Sequence, residues 1–410
     1  MRQERNILLV LAAIQFTNIV DFMIMMPMGD ILKKELLIGP GAYGFLVSSY
    51  GLAAGLSSFL GVFYLDSLDR KKALLVAYTG FILGTLSSAI VPNTQDVHLN
   101  YYLFIGTRVL TGLTGGLLGG LVMSIVGDLI PLERRGKAMG VVTLSFSLAA
   151  VMGVPLALVL VDAFDNNWHV PFYVISGLSG LILILAMRVM PPIQAHLSKS
   201  TPFQPLATIQ SVLGSVAQRN ALLFTVMLVL GQFTVISFLT PFMINNVGLD
   251  QSQIKYIYIT GGAATVLSGI AIGKAVDKWG RFRVFTFFAW MSCLTMLANT
   301  HLTQVPLYVV LSIAVFFFTF ISGRMIPANT IISALVNPAQ RAGFMSLNSS
   351  AQSLASGSSA IIAGLIIAQK DEYAPLENYQ WVGYLAVFFT LVSLLIVRRI
   401  RKITAVHAPA

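Results

Sequence analysis

The sequence GKAVDKWGRFR, residues 273–283, is a charged island between two long apolar runs. Asp277 ends the first run, and Arg281 opens the second run after the turn residue Gly280. A carboxylate and an arginine in this order can pair across the loop or with a neighbouring helix end. The loop is therefore a candidate latch. The alternative is that its positive charge serves only to fix the topology of the chain.

The first half of the chain carries a degenerate copy of this island, LDSLDRKK at residues 65–72. Asp66 stands where the other copy has its aspartate, and Arg70 stands where it has its arginine. We therefore predict one gate loop in each half of the protein. The predicted gate residues are Asp66, Arg70, Asp277, Gly280 and Arg281.

Composition places the chain in a lipid bilayer. Of its 410 residues, 56% are hydrophobic and 10% are charged, and the mean hydropathy is +0.80, which is too apolar for a soluble domain. The formal net charge of +10 is scattered over short loops and not gathered on one face. It therefore predicts membrane topology and no nucleic-acid partner.

Cysteine usage and motif content argue against catalysis. The single cysteine, Cys293, lies inside an apolar run, so neither a disulfide framework nor a metal-ligand cluster is expected. The sequence offers no nucleophile with a base at workable spacing and no nucleotide-binding loop. We predict a protein that is not an enzyme, that needs no metal or cofactor, and that takes its energy from a gradient.

Apolar runs of about 20 residues predict twelve membrane spans. In chain order, spans 1 to 12 lie at residues 7–28, 43–65, 73–92, 101–126, 138–161, 170–190, 220–244, 253–276, 282–300, 305–334, 344–368 and 379–398. The longest polar interruption separates six spans from six. The predicted fold is an all-α membrane protein of two pseudo-symmetric six-helix bundles, residues 1–190 and 220–402, with a cytoplasmic linker at 191–219 and a tail at 403–410.

The distribution of basic residues predicts the orientation. With the N-terminus inside, twenty of the 26 Lys and Arg residues fall in cytoplasmic segments and two lie deep within spans. Four fall on the outer side, namely Lys33, Lys34, Lys255 and Lys370. Because positive charge is retained on the cytoplasmic side, both termini are predicted to be cytoplasmic, in a multi-pass protein of the inner (plasma) membrane.

The two halves repeat each other at nearly constant offset. The sequence QFT at residues 15–17 recurs at residues 232–234, and Arg108 has a counterpart in Arg324, at offsets of 217 and 216. The two gate loops follow the same order. A duplicated six-helix unit of this parallel kind predicts a ligand site between the halves, near the bilayer midplane.

The pattern Gly-x3-Asp-Lys-x-Gly-Arg-x-Arg at residues 273–283 resembles the cytoplasmic loop signature of the major facilitator superfamily, which occurs between helices 2 and 3 and again between helices 8 and 9. The resemblance implies a transporter with a gate on its inner face. The first copy departs from the pattern, with Val62 and Asp69 where glycines are expected.

Three further stretches look like signatures of this superfamily. Arg108-x3-Gly112 in span 4 is similar to the family's arginine-glycine signature, which implies proton transfer. Residues 149–155 resemble the Gly-Pro signature of the efflux branch, although an alanine replaces its first glycine and a valine separates Gly153 from the proline. Residues 167–172 resemble the motif that opens helix 6 in drug and sugar efflux members. Together they imply an exporter.

Asp21 is the exceptional acid that the sequence places at membrane depth, and Arg108 is predicted to lie at the same depth in span 4. An unpaired charge at this depth costs roughly 2.5–3.5 kcal/mol on insertion scales, so the two are natural partners. Such a pair is either a structural brace or a proton-coupling site. We favour coupling, because burial favours the neutral acid while the arginine favours the carboxylate.

Gln15, Asn18 and Asp21 form a polar stripe on span 1, at spacings of three residues. The stripe faces either the central cavity, which we favour, or a neighbouring helix. The predicted substrate-cavity residues are Gln15, Asn18, Gln232, Arg324, Asn329 and Gln352. One acid and two arginines in the cavity favour neutral or anionic solutes.

Arg324 has no acid in its own half and leaves three alternatives open. It attracts an anionic substrate group, pairs with Asp21 across the cavity, or extends to a membrane surface. The serines of span 11 are as consistent with packing as with ligand contact. The glycine ladder of span 4, residues 112–120, predicts close helix packing.

These predictions converge on a proton-coupled exporter of a small organic solute or drug that works by alternating access. The alternative is a facilitator or proton symporter of a sugar-like or organic-anion metabolite, with Asp21 and Arg108 as a structural pair. A non-transporting sensor or assembly partner is disfavoured, because the longest polar segment, residues 191–219, is short. The expected partners are a small-molecule substrate, protons and the lipid bilayer, and the protein is expected to be a monomer.

Overall fold

The structure is a computed structural model that describes residues 2–92, 94–194, 205–336, 341–371 and 373–406. A few side chains within these ranges, including that of Asp66, are not described. The middle of the predicted linker, residues 195–204, and the end of the predicted tail, residues 407–410, lie outside the described chain.

Sixteen α-helices account for most of the described residues. In chain order they are α1 (Arg2–Met23), α2 (Gly29–Glu35), α3 (Pro40–Gly61), α4 (Arg70–Ala89), α5 (Val97–Leu129), α6 (Leu132–Leu148), α7 (Val154–Ala163), α8 (Val170–Val189), α9 (Pro205–Gly214), α10 (Val216–Ile236), α11 (Leu239–Asn245), α12 (Gln251–Trp279), α13 (Arg281–Thr300), α14 (Leu307–Ala334), α15 (Arg341–Ile366) and α16 (Tyr379–Val406).

Within the described ranges, eleven helical segments are long and apolar enough to cross a membrane. They match every predicted span except the eleventh, where α15 is 26 residues long but rich in serine. The predicted all-α membrane class is therefore confirmed. The count of twelve spans, the division into two bundles and the cytoplasmic position of the termini stay predictions.

One turn of π-helix, Ala149–Gly153, joins α6 to α7, and we call it the π-turn. Span 5 is therefore one continuous helix with a single wider turn. The turn lies directly before Pro155, whose ring and missing N–H disturb the hydrogen bonds of the preceding turn. The opposite helix α12 meets this turn at Gly262, where an added Cβ would lie 2.9 Å from the Cα atom of Val151. The two halves of the protein therefore touch at the π-turn.

We call the side on which α1 begins and α16 ends the termini face, and the opposite side the distal face. At the distal face one apolar core takes buried residues from both halves, for example Leu46 and Trp168 from the first and Phe238 and Ala363 from the second. Its continuity seals the halves against each other on that side.

At the termini face the described residues form two separate apolar cores. One contains Leu74 and Val142 of the first half, and the other contains Phe285 and Phe344 of the second. In agreement, α12 packs along the π-turn and α7 but barely touches α6. The molecule is thus closed at the distal face and parted at the termini face.

The helices α3 and α15 form the most extensive contact between the halves. Their backbones approach closely because glycines face each other, so that a Cβ on Gly51 would lie 2.7 Å from the Cα of Gly357. Ser350 adds a hydrogen bond of 2.6 Å from its hydroxyl to the carbonyl oxygen of Gly55. This contact is the candidate pivot about which the halves part.

The glycine ladder of α5 has two different faces. Gly112 and Gly116 lie against the α3 backbone, where an added Cβ would come within 2.4 and 2.2 Å of carbonyl oxygens. Gly115 and Gly119 instead face polar side chains of other helices. The predicted close packing is therefore correct for Gly112, Gly115 and Gly116, whereas Gly119 leaves room beside polar groups and Gly120 meets nothing within 4 Å.

We predict that Gly116→Ala destabilises the protein by about 1–3 kcal/mol, because the new methyl group collides with the α3 backbone and forces the helices apart. Gly120→Ala is the matched control, since a Cβ there has no neighbouring side chain or helix within 4 Å. The thermal unfolding midpoints of the two purified variants test this. Equal midpoints would show that α3 and α5 are not in close contact.

Candidate functional site

Asp21 of α1 and Arg108 of α5 form a two-pronged ion pair inside the first half. The Nη2 atom of Arg108 lies 2.7 Å from Oδ2 of Asp21, and Nη1 lies 3.3 Å from Oδ1. Both side chains are 0% exposed. Two parallel bonds of this kind fix the orientation of both groups as well as their separation.

Neighbouring helices enclose the pair. Thr85 of α4 donates its hydroxyl to Oδ1 of Asp21 at 3.1 Å. The guanidinium of Arg108 lies 5.0 Å from the ring centre of Tyr50 and 5.5 Å from that of Phe172, so aromatic rings cover the charge. The pair is therefore shielded from water in this conformation. The Nε atom of Arg108 has no hydrogen-bond partner among the described groups.

The polar stripe of α1 runs along α5 for most of its length. Asn18 donates to the carbonyl oxygen of Gly115 at 3.3 Å and accepts from the hydroxyl of Tyr50 at 2.7 Å. The preferred assignment of this stripe to the cavity is therefore wrong for Asn18, which links three helices of one half. Interhelical hydrogen bonding prevails because bundle neighbours offer the partners that a buried amide needs.

Gln15 differs from the rest of its stripe. Its Oε1 atom is buried and has no hydrogen-bond partner within the described structure, and the same holds for Oε1 of its repeat counterpart Gln232. Asn329 is exposed and Gln352 is partly buried, and the described chain offers neither a hydrogen-bond partner. These four residues leave polar groups available to water or a solute.

Arg324 lies wholly inside the second half. It is 0% exposed and donates to the hydroxyls of Thr390 at 2.9 Å and Ser292 at 3.4 Å, and to the carbonyl oxygen of Leu228 at 3.4 Å. Two of the three alternatives for Arg324 are therefore wrong in this conformation, because Asp21 is paired elsewhere and the side chain reaches no surface.

The first gate loop is tied to its own half. Arg70 is buried and lies with its Nε atom 3.3 Å from Oδ2 of Asp128, at the end of α5. It also donates to the carbonyl oxygen of Leu65 at 3.1 Å. The side chain of Asp66, the predicted partner, lies outside the description. The sequence analysis missed Asp128, although an acid at the end of an apolar span was a usable signal.

In the first gate loop, Asp69 occupies the position that Gly280 occupies in the second gate loop. Gly280 has φ +83°, a left-handed conformation that favours glycine. Asp69 instead caps α4 by accepting from the amides of Lys71 and Lys72. Partial burial raises the pKa of Asp69, but the hydrogen bonds from Gln194 and the backbone outweigh it and leave that pKa lowered.

The second gate loop is not latched in this conformation. Asp277 is exposed and forms no salt bridge with any described residue. Arg281 lies over the ring of Phe282 at 5.4 Å and approaches the carbonyl oxygen of Thr330 at 3.5 Å. The predicted carboxylate–arginine contact across this loop is therefore absent while the termini face is parted.

Polar contacts that the sequence analysis did not identify join the halves at the distal face. Lys255 of α12 lies 2.5 Å from Asp162 of α7. Asn245 of α11 donates to Asp30 of α2 at 2.6 Å. These bonds cross the seam above the shared apolar core and reinforce its closure.

The four lysines predicted to lie outside are the exceptions to the charge bias, and each has a polar partner at the distal face. Lys33 and Lys255 bond across the seam, whereas the partners of Lys34 and Lys370 lie in the same half. Lys33 bonds to Gln369, Lys34 to Asp30, Lys255 to Asp162 and Lys370 to Glu377. A lysine retained on the side that disfavours it indicates a local partner.

Long apolar helices, a seam that is sealed at one face only, and a charge pair buried at depth define the class of integral membrane transporters. A model of the Major Facilitator Superfamily matches residues 11–242 and again residues 221–409. The chain therefore belongs to the Major Facilitator Superfamily. It is a transporter and not an enzyme, as the sequence predicted.

Relatives by sequence are distant. The "Uncharacterized MFS-type transporter YceJ" of Bacillus subtilis (strain 168) is 23% identical, with 92% of each chain covered. The "Probable sugar efflux transporter" of Helicobacter pylori (strain G27) is 22% identical over 64% of each chain. Identity at this level is shared across a broad family.

Solved structures share the fold. A crystal structure of a D-xylose-proton symporter has a TM-score of 0.76 at 19% identity, covering 95% of this chain and 96% of its own. A bacterial homolog to the human lysosomal transporter Spinster, in an inward-facing and unoccupied conformation, has a TM-score of 0.73 at 14% identity, with 98% of each chain covered.

We predict unequal effects from breaking the buried pair. Asp21→Leu destabilises by about 3–5 kcal/mol, because it leaves a guanidinium that cannot lose its charge. Arg108→Leu destabilises less, because the carboxyl it leaves can bind a proton. The double variant recovers most of the loss. Thermal unfolding midpoints test this order, and equal effects of the two single changes would contradict it.

We predict that Asp162→Lys weakens the closure of the distal face, because the new lysine side chain repels Lys255. The pair is partly exposed to solvent, so its contribution is modest, and we expect a severalfold increase in the open population. The measurement is the labelling rate of Ser237→Cys by an impermeant maleimide, in a Cys293→Ser background. Adding Lys255→Asp restores the pair and is expected to restore slow labelling. An unchanged rate in Asp162→Lys would show that the pair does not hold this face.

Proposed function

We propose that the protein is a proton-coupled exporter of a small neutral organic solute, and that Asp21 carries the coupled proton. The observation behind this proposal is the fully buried Asp21–Arg108 pair. The carboxylate is held by Arg108 and by the hydroxyl of Thr85. In the transport cycle, a movement that separates the carboxylate from Arg108 is coupled to the binding of a proton at Asp21.

The surroundings of the pair support its ability to move. Arg108 leaves one N–H group without a partner, and part of its cover consists of aromatic faces rather than hydrogen-bond acceptors. The pair also sits beside α3, whose other side packs against α15 of the second half. A change in the seam between the halves can therefore reach Tyr50 and through it the pair.

The residues of the predicted substrate cavity support a neutral substrate. The expectation of a slightly positive cavity does not fit the burial of both arginines, which are 0% exposed and bonded within their own halves. The predicted cavity residues that keep unbonded polar groups, namely Gln15, Gln232, Asn329 and Gln352, all carry side-chain amides. The relatives named as sugar efflux transporters make a sugar-like solute the first class to test, with amphiphilic drugs as the second.

The parted termini face supports alternating access. We propose that this face is cytoplasmic, that the protein spans the plasma membrane as two six-helix bundles, and that it acts as a monomer. In the opposite conformation the distal contacts of Asp162 and Asp30 break. Asp277, which has no salt bridge in the present conformation, then pairs with a basic residue at the termini face. The gate loops hold that face closed.

A facilitator or symporter is the second candidate. It is favoured by the fold similarity to a D-xylose-proton symporter and by the enclosure of Asp21 and Arg108, which also suits a structural brace. The two candidates differ in energetics. An antiporter accumulates solute in exchange for protons, a symporter accumulates it together with protons, and a facilitator only equilibrates it.

We predict that Asp21→Asn abolishes pH-driven accumulation in proteoliposomes while retaining solute counterflow, because the amide cannot exchange a proton but leaves a hydrogen-bond acceptor for Arg108. The measurement compares both activities at equal amounts of folded protein, with D-glucose and D-xylose as probes. Thr85→Val is the control, since it removes a bond to the carboxylate and keeps the titrating group. Full gradient-driven transport by Asp21→Asn would exclude Asp21 as the proton carrier.

A further inference from the structure

His169 lies in a narrow recess at the distal face, directly before α8. The buried side chains of Leu36, Val91 and Trp168 form its apolar walls, and the exposed Glu35, at the end of α2, lines it as well. Every residue that lines the recess belongs to the first half, and the predicted cavity and gate residues are not among them. The recess is therefore separate from the predicted substrate cavity and from the buried ion pair.

The imidazole ring of His169 is held in a defined orientation. Its Nδ1 atom lies 3.0 Å from the carbonyl oxygen of Ala89, at the end of α4. Because a carbonyl oxygen only accepts, Nδ1 carries the hydrogen of the neutral ring. The ring also stacks on that of Trp168, with the ring centres 3.7 Å apart. Nε2 is thus the nitrogen that binds an added proton.

Glu35 is the charged group that acts on His169. Its carboxylate forms no salt bridge with any described residue. The neighbouring Lys34 of α2 pairs with Asp30 at 2.7 Å, and α5 contributes the neutral side chain of Asn100. Within the described chain, the recess has no titratable side chains other than the histidine and this glutamate. A proton that enters the recess therefore meets one imidazole and one carboxylate.

The recess favours the neutral form of the histidine. Burial lowers the pKa of His169, and the carbonyl of Ala89 and the carboxylate of Glu35 raise that pKa only part of the way back. A conformation that exposes the ring returns its pKa toward the ordinary value of about 6.5. The exposed state then binds protons more readily than the covered state. The covered state is therefore fully favoured above about pH 6.5 and loses that advantage as the pH falls below it.

The short helix α2 covers the recess and also joins the two halves. Glu35 lies at its end, beside the recess. Asp30 accepts from Asn245 of α11 at 2.6 Å, and the fully buried Lys33 donates to Gln369 of the second half. Opening of the distal face breaks both of these bonds. It thereby frees α2 to move away from the recess, so that closure of the face and cover of the histidine are linked.

We propose that His169 and Glu35 form a proton-sensing site, distinct from Asp21, that controls the distal face through α2. While His169 is neutral, α2 packs over the recess and holds the second half. When Nε2 binds a proton, the charged ring favours hydration and α2 is displaced, which eases opening of the distal face. This inference goes beyond the proposed function, because it concerns which conformation is favoured at a given pH and not which solute is carried.

The test measures distal opening in the purified full-length protein in detergent, by maleimide labelling of Ser237→Cys in the Cys293→Ser background. Rates are taken at about pH 7.5 and about pH 5.5, on either side of the ordinary histidine pKa. Each rate is divided by that of a protein that also carries His169→Gln. The pH dependence of the thiol and any titration of Asp21 then cancel. We expect this ratio to rise at least threefold on acidification, and a constant ratio would overturn the site.

Three further variants test the mechanism. His169→Arg carries a permanent charge and is expected to label fast at both pH values. Glu35→Gln is expected to strengthen the acid response, because the covered ring then binds a proton less readily. His98→Gln is the matched control, since it removes an exposed histidine at the start of α5 and is expected to keep the full response. Slow labelling of His169→Arg, a weaker response in Glu35→Gln, or loss of the response in His98→Gln would contradict the proposal.

Discussion

Hydrogen-bonding groups inside a membrane must find partners within the protein, and this constraint organises the polar residues of the chain. Asp21 and Arg108 satisfy each other, Asn18 bonds to the neighbouring helices, and Arg324 uses hydroxyls and a backbone carbonyl. Departures from the rule are therefore informative. Gln15 and Gln232 each retain a buried oxygen without a partner, and they come from equivalent positions of the two halves.

The seam between the halves shows how a transporter can be stable and still open. Apolar burial is continuous across the distal face and divided at the termini face. The glycine-lined contact of α3 with α15 spans both regions, so the halves can part on one side without separating. Ion pairs such as Lys255–Asp162 add only a modest contribution, which suits bonds that must break in each cycle.

Much of this architecture was predictable, because span length and loop charge are local properties. The apolar runs located the helices within a few residues, and the shared depth of Asp21 and Arg108 made them natural partners. The serine-rich span 11 has the weakest hydropathy signal, because α15 has small side chains in place of large apolar ones. These small side chains let neighbouring helices approach. The distal contacts were missed because their partners are far apart in sequence, although Lys33 and Lys255 marked two of them.

The sequence by itself determined the all-helical membrane class, the family signatures and the residue types that carry charge at depth, since each depends on composition or short-range spacing. Tertiary structure alone decided which way each polar side chain turns. Helical periodicity places Gln15, Asn18 and Asp21 on one face. Only packing shows that Asn18 and Asp21 are bonded within their own half, while Gln15 lies beside Gly119, which Ser349 of the other half also approaches. The physical reason is that the role of a helix face depends on what packs against it. The same face can line a cavity, pack against another helix or bind a solute.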